Sequence, residues 1–115
     1  MLISKKEFQK IKDRADIKAF YEATNSLHDG EVAFADLCAD CLYIGVDVTS
    51  IEGCPRVDMI FRGVKEWQIK NGSYVFASNI AFEDGGIIWA DACRFDDEIL
   101  KESDYVRAAS MEWSM

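Results

Sequence analysis

Leu27-His28-Asp29-Gly30 is the stretch at which the hydrophobic pattern of the chain changes. Before it, apolar residues recur at helical spacing, and after it most segments alternate apolar and polar residues with a period of two. The change predicts an α+β fold, with a helical prefix over residues 1–26 followed by a mostly antiparallel sheet over residues 27–115. A chain of 115 residues is long enough for one hydrophobic core and short for two ordinary domains, so we expect a single domain, residues 1–115.

The prefix contains the sequence signals of a helix start. Ser4 and Glu7 have the spacing of a capping box, in which each side chain accepts a hydrogen bond from the backbone N–H of the other residue. The apolar stripe that begins at Phe8 moves to another side of the helix across residues 13–16. We therefore predict one kinked helix or two short helices, ending between residues 25 and 30.

Seven or eight strands are predicted after the prefix. Ala39-Asp40, Asn71-Gly72 and Asp84-Gly85 are turn sequences between alternating segments, and Asn-Gly is the strongest hairpin signal among them. Hairpins join antiparallel strands, whereas a parallel sheet needs crossover helices, which the pattern after residue 30 does not indicate. The strands are therefore predicted to form a β meander, with an acidic connection between the last two, residues 87–95 and 105–113.

The net charge of −8 is divided unevenly along the chain. Residues 1–28 hold six basic and four acidic side chains, whereas residues 29–115 hold seven basic and seventeen acidic ones. An acidic sheet repels phosphate groups, which argues against nucleic acids and anionic membranes as partners. The acidic sheet is compatible with a basic protein partner. A simpler interpretation is that the negative charge serves only to keep the protein soluble.

The hydropathy of the chain and the composition of its first residues predict where in the cell the protein is found. The longest run without a charged residue is residues 71–82, twelve residues, whereas a membrane helix needs about 18. The first dozen residues contain several lysines and no apolar run of the secretory type, so we expect a cytoplasmic protein. Its four cysteines are then expected to be thiols.

His28 and Asp29 form the dipeptide found in metal-dependent phosphohydrolases, but those sites need further histidines and this chain has one. The pair is therefore predicted to be a structural motif at the start of the first strand, where a side chain bonds the backbone. No Gly-x-Ser-x-Gly motif accompanies the histidine. We predict no catalytic residues and no cofactor.

Cys38-Ala39-Asp40-Cys41 is a Cys-x-x-Cys sequence around a predicted turn. A redox pair of this kind depends on a helix N-terminus that lowers the thiol pKa, and no helix is predicted to follow it. A zinc site would need Cys54 and Cys93 to converge on the same turn. Free thiols are the favoured reading and no metal site is predicted, although convergence of the four cysteines stays open.

The acidic run Asp96-Asp97-Glu98 lacks the spacing of a calcium loop and is predicted to be a solvated turn. Trp67, Trp89 and Trp113 lie in predicted strands. Such residues usually belong to the core, but a tryptophan exposed within an acidic rim is an expected anchor of a protein interface. We therefore predict partner-binding residues at Trp89, Asp96, Asp97 and Glu98.

Three stretches resemble small bacterial β-rich domains of unknown function, some of them described as immunity proteins of polymorphic toxin systems. They are Leu27-His28-Asp29-Gly30-Glu31-Val32, Met59-Ile60-Phe61-Arg62-Gly63-Val64 and Val106-Arg107-Ala108-Ala109-Ser110-Met111-Glu112-Trp113. The resemblance implies a cytoplasmic antitoxin that binds and blocks a toxin domain. It implies no catalytic residues, and it does not extend to the lysine-rich prefix.

Charge and missing catalytic motifs together predict a non-enzymatic protein-binding module, of the immunity type if the resemblance holds. Such a module would cover a basic partner surface with its acidic sheet or loops. The alternative is a small-ligand-binding or enzymatic domain with a pocket between sheet and helices, in which tyrosine, aspartate and glutamate are the polar groups. Association of two copies through an uncovered edge strand is a further alternative.

Overall fold

A computed structural model describes residues 7–48, 53, 56–70, 72–76 and 78–115 of the chain. The described residues form two helices, one 3-10 turn and nine strands. In chain order these are β1 (Gln9–Lys10), α1 (Arg14–Thr24), the 3-10 turn (Asn25–Leu27), β2 (Glu31–Cys38), β3 (Cys41–Asp47), β4 (Arg56–Arg62), β5 (Glu66–Gln68), β6 (Ser78–Glu83), β7 (Gly86–Asp91), α2 (Asp97–Leu100), β8 (Tyr105–Ala108) and β9 (Ser110–Ser114).

The strands form two antiparallel sheets that share two long chain segments. Sheet A has the order β1-β9-β4-β3-β2, and sheet B has the order β5-β8-β7-β6. Residues 56–68 and 105–114 run side by side through both sheets, since β4 pairs with β9 and β5 pairs with β8. They cross from one sheet to the other at Gly63 and Ala109, where the Ala109 N–H donates to Arg62 O at 2.9 Å. Gly63 has a φ of 66°, and a Cβ there would lie 2.8 Å from that of Ala109, so glycine suits the crossing.

The predicted α+β class and mostly antiparallel pairing are confirmed, but the strands are divided between two sheets. The predicted first helix is wrong over residues 7–12, because β1 pairs there with β9, Gln9 opposite Trp113 and Lys10 opposite Glu112. Ser4 of the predicted capping box lies outside the described residues. The helix begins only at Arg14, after Asp13, whose side chain accepts a hydrogen bond from Asp16 N at 2.9 Å.

Two of the three predicted hairpins are confirmed. Ala39-Asp40 joins β2 to β3, and Asp84-Gly85 joins β6 to β7. The hairpin predicted at Asn71-Gly72 is wrong: β5, before it, pairs with β8, and the segment after it pairs with the start of β2. Asn71 itself lies outside the described residues. Long-range backbone bonds, such as Val32 N to Ser73 O at 2.9 Å, decide the pairing there.

The last predicted strands are also shorter in the structure. The segment predicted as a strand over 87–95 ends as β7 at Asp91, and the predicted acidic turn begins the short helix α2. Asp96 caps that helix by accepting a hydrogen bond from Ile99 N at 3.0 Å. The segment predicted over 105–113 is interrupted at Ala109, where it changes sheet.

The hydrophobic core lies between the two sheets and under α1. Phe20 of α1 is fully buried, and its ring meets that of Trp113 edge-on at 5.4 Å between centroids. A second, smaller cluster of Ile88, Ala90, Ala92 and Leu100 lies on the other face of sheet B, under the chain that leads into α2. Strand β7 of sheet B is therefore buried on both faces. The side chain of Phe8, from outside the sheet, lies against the outer face of sheet A.

The Leu27–Gly30 stretch turns the chain from α1 into β2 through left-handed backbone. Asn25, Ser26, Leu27 and Asp29 all have a φ between 53° and 61°, a conformation that costs a non-glycine residue about 1–3 kcal/mol. Two interactions offset that cost. The Leu27 side chain is completely buried, and Gly30 N donates a hydrogen bond to Leu27 O at 2.9 Å. A Cβ at Gly30 would lie 2.6 Å from Val46 Cγ1, so this position also needs glycine.

Candidate functional site

Trp89, predicted as a partner-binding residue, lies in the core. Its side chain is 0% exposed, and its indole N–H donates to Ser78 Oγ at 2.6 Å. Its ring lies 6.4 Å from that of Phe61 across the space between the sheets. The prediction of an interface anchor at this position is therefore wrong, because β7 directs Ile87 and Trp89 into the main core.

Asp96, Asp97 and Glu98 are exposed at the start of α2, beside sheet B. Asp96 caps the helix and lies 3.5 Å from Arg94, and Glu98 lies 3.7 Å from Lys101. Exposed pairs of this kind contribute about 0–1 kcal/mol each. The structure thus places these acids at the surface, where their role in partner binding stays a prediction.

His28 and Asp29 are exposed beside the left-handed turn, with His28 Nδ1 3.1 Å from Asp29 Oδ2. The Asp29 N–H donates to Val75 O at 3.0 Å, and Val75 N donates back to Gly30 O at 2.8 Å. The two bonds tie the start of β2 to residues 72–76. The pair thus lies where the chain enters the sheet, and the structural role predicted for its side chains stays a prediction.

A cluster of polar side chains lies on sheet B next to α2 and is called the Arg107 cluster; its members are Glu66, Glu83, Tyr105 and Arg107. Arg107 Nη1 lies 2.8 Å from Glu66 Oε1, and Arg107 Nε lies 3.2 Å from Glu83 Oε2. The guanidinium also sits 5.9 Å above the Tyr105 ring. Asp97 lines the depression beside this cluster, so one of the predicted acids adjoins it.

Three groups of the Arg107 cluster have shifted pKa values; burial lowers the pKa of Arg107, but its hydrogen bonds to Glu66 and Glu83 raise that pKa above the ordinary value. The hydrogen bond from Tyr105, followed by that from Arg107, lowers the pKa of the Glu66 carboxyl. Burial raises the pKa of the Tyr105 hydroxyl, and the hydrogen bond to Glu66 raises it further. Because the members of the cluster satisfy one another, the arrangement is typical of a structural ion-pair network.

We expect the Tyr105→Phe substitution to raise the pKa of Glu66 toward the ordinary carboxyl value, since it removes the largest cause of the shift. An NMR titration of the side-chain carboxyl carbon measures that pKa. Tyr74→Phe, at a tyrosine that is 57% exposed, is the matched control. An unchanged Glu66 pKa in Tyr105→Phe would show that the hydroxyl does not hold the carboxylate.

The same substitution has a consequence for stability against pH. In the folded chain the pKa of Glu66 is below its unfolded value. Its contribution to stability is therefore present above the ordinary carboxyl pKa and is lost as the pH falls through the folded-state value. Denaturation of Tyr105→Phe should depend less on pH on that acidic side.

A groove runs over the outer face of sheet A and is called the sheet A groove. It is lined by Phe8, Phe34, Asp36, Tyr43, Asp58 and Ile60 and has a volume of about 430 Å³. Three strands supply it, since Phe34 pairs with Gly45, Asp36 with Tyr43, and Tyr43 with Ile60. Gly45 has no side chain, and the Phe34 ring occupies the space where a Cβ would stand.

The sheet A groove combines aromatic rings with carboxylates. Asp36 and Asp58 line it together with the ring of Tyr43, which is 39% exposed. At its margin the guanidinium of Arg56 lies 5.5 Å from the Phe34 ring centroid, and Arg56 Nε lies 2.6 Å from Asp47 Oδ1. Such surroundings favour a cation. The sequence did not predict this site. Its residues come from β2, β3 and β4 and become neighbours only when these three strands pair in the folded sheet.

A second depression, the α1–β6 cleft, separates the helix from the edge of sheet B. It is lined by Arg14, Ile17, Lys18, Tyr21, Ile80, Ala81 and Phe82, and has a volume of about 410 Å³. The alternative drawn from the sequence, a pocket between sheet and helices, expected tyrosine and carboxylates as its polar groups. The cleft contains Tyr21, but the charged groups that line it are basic.

The cysteines are dispersed over the described residues. Cys38 and Cys41 face each other across the β2–β3 turn, while Cys93 is exposed beyond β7. Cys54 lies outside the described residues. In the part of the chain that the structure describes, no group of three or more metal-ligating side chains comes together.

No protein-family model matches this chain, and no curated protein or solved structure matches it. The resemblance to immunity-type domains therefore stays a prediction. Of the helices in the described residues, none has the length and apolar character needed to cross a membrane.

Proposed function

We propose that this chain is a non-enzymatic protein-binding module of the immunity type, which covers a basic surface of its partner with the outer face of sheet A. The observation that supports this proposal is the sheet A groove, where aromatic rings and carboxylates face outward together. A partner that supplies lysine or arginine side chains fits this chemistry. The excess of acidic residues over positions 29–115 fits the same partner.

The first argument for the groove is its exposed apolar surface. Tyr43 on this face is 39% exposed, and the side chains of Phe8 and Phe34 line the groove with it. The outer face of sheet B, in contrast, packs against residues 92–100 through its own small core. Contiguous exposed apolar surface with a polar rim is typical of interaction sites, and tyrosine is enriched in interfaces.

The second argument is that this face already holds a cation of the chain itself. Arg56 lies over the Phe34 ring and bonds Asp47, a carboxylate at its side. Tyr43 and its register partner Asp36 offer a second ring and carboxylate on the same face. A lysine or arginine of the partner would bind there in the manner of Arg56.

The third argument concerns association at a distance. Asp96, Asp97 and Glu98 lie on the sheet B side of the core, away from the groove. In this proposal they add to the negative field that attracts the basic partner, while the contacts form at sheet A. Attraction of this kind makes association fast and sensitive to salt.

The test begins with capture of a partner at low salt from the native host, followed by titration of the purified partner with variants. Asp36→Lys should weaken binding about 30-fold, the effect of losing about 2 kcal/mol at the centre of an interface. Asp84→Lys makes the same charge change at the exposed β6–β7 turn and should change affinity less than about threefold. Circular dichroism of both variants confirms that they fold.

Three results would contradict the proposal. One is an equal loss of affinity in Asp36→Lys and Asp84→Lys, which would reflect net charge alone. Another is a partner without a basic surface. The third is that no partner is recovered at low salt.

A further inference from the structure

We infer that the α1–β6 cleft is a binding site for a linear aliphatic carboxylate, with the alkyl chain between the helix and the strand and the carboxylate on Arg14 and Lys18. This site goes beyond the proposed protein binding, because it lies elsewhere on the molecule and has the opposite charge. Its volume of about 410 Å³ is within the range of about 300–1,000 Å³ for small-molecule sites.

The walls of the cleft are apolar. Ile17 and Tyr21 contribute from α1, and Ile80 and Phe82 contribute from β6. Phe82 is 45% exposed, so a ligand that covered it would remove apolar surface from water. An alkyl chain suits this space better than a polar metabolite, because most of the lining surface is carbon.

A hydrogen bond holds the two walls at a fixed separation. The Ile80 N–H of edge strand β6 donates to the Tyr21 hydroxyl at 2.7 Å. The Tyr21 side chain spans from α1 to the backbone of β6, so its length keeps the two walls apart, and they cannot separate further without breaking the bond. The cleft is therefore largely formed before a ligand arrives, which lowers the entropic cost of binding.

The charge of the cleft selects an anion. Arg14 and Lys18 stand one helical turn apart and both line it. Lys18 also meets Glu22 at 3.8 Å, but both of these side chains are more than two-thirds exposed, so that pair is weak. Residues 1–28, which supply the helix wall of the cleft, carry a net charge of +2 in a chain of −8, whereas the strand wall belongs to the acidic residues 29–115.

A carboxylate matches these two cations in a specific way. The planar guanidinium of Arg14 can donate two parallel hydrogen bonds to one carboxylate, and the Lys18 ammonium adds a third charged donor. A cationic amphiphile would meet like charge at the same place. An uncharged alcohol would keep the apolar contacts and lose the charged ones.

The test is titration of the full chain with decanoate, held below the concentration at which it aggregates, followed by calorimetry and by amide NMR. We expect saturable binding with shifts at Ile80 and along α1. Decanol should bind more weakly, and decyltrimethylammonium should not bind the cleft. Arg14→Gln/Lys18→Gln should weaken decanoate binding about tenfold or more, since it removes both charged donors.

Lys65→Gln/Lys101→Gln removes two positive charges at exposed positions outside the cleft and should bind decanoate as the wild type does. Arg14 and Lys18 are exposed too, so both double variants are expected to fold, and circular dichroism checks this. The inference is overturned if decanoate does not saturate, if its shifts lie outside α1 and β6, or if both double variants bind it equally. Neither double variant alters the sheet A groove, so this result is separate from that of the partner titration.

Discussion

Trp89→Ala will destabilise the fold by about 3–5 kcal/mol, the cost of removing a large aromatic side chain from a packed core. Trp89 is 0% exposed between the two sheets. Its truncation also leaves Ser78 Oγ without the indole donor that lies 2.6 Å away. Urea denaturation followed by circular dichroism measures the loss.

Phe76→Ala is the matched control, because Phe76 is 72% exposed and its truncation should change stability by less than about 0.5 kcal/mol. If Trp89→Ala does not fold, Trp89→Phe keeps most of the ring volume and should cost about 1–3 kcal/mol for the unsatisfied hydroxyl and the smaller ring. The opposite result would be that Trp89→Ala keeps near-native stability but no longer binds the partner. That result would support the interface role that the sequence predicted for Trp89.

Gly86→Ala will cost about 3 kcal/mol, at the upper end of what overpacking costs. A Cβ at Gly86 would overlap the carbonyl oxygen of Ala108 and lie 3.4 Å from Ala109 Cα. Both contacts are backbone atoms at the point where the chain crosses between sheets, so no side-chain rotation relieves them. Either β7 moves away from β8 or the crossing at Ala109 distorts.

Gly72→Ala separates this steric effect from backbone strain. A Cβ at Gly72 meets nothing within 4 Å, but its φ is +80°, so the substitution should cost about 1 kcal/mol through strain alone. Urea denaturation of the two variants, compared with wild type, gives both values. Equal losses would show that the crossing at Ala109 accepts an added methyl group.

Local signals predicted the parts of the fold that depend on neighbours in sequence. The turns at Ala39-Asp40 and Asp84-Gly85 were predictable because a hairpin forms between residues a few positions apart. The capping-box signal at the start of the chain predicted a helix over residues 7–12, where the structure has β1. This strand pairs with β9, which lies about a hundred residues further along the chain. No local pattern can report such a partner.

The burial of Trp89 was readable in part. Ile87, Ile88, Trp89 and Ala90 form an unbroken apolar run, which is typical of a strand buried on both faces. The structure places these residues alternately in the main core and in the small core under residues 92–100. The alternation in β2 to β4 likewise identified an outer face, but the register that joins Tyr43 to Ile60 across β3 and β4 follows only from the assembled sheet.

The crossing at Gly63 and Ala109 also limits how this chain could be divided. Residues 56–68 and 105–114 each contribute a strand to both sheets, and all four strands of sheet B lie between β4 and β9 of sheet A in the sequence. A fragment that ended before β5 would lack β9, which lies between β1 and β4 in sheet A. By contrast, residues 92–104 cover one face of sheet B without supplying a strand, so replacing this segment would remove no strand from either sheet.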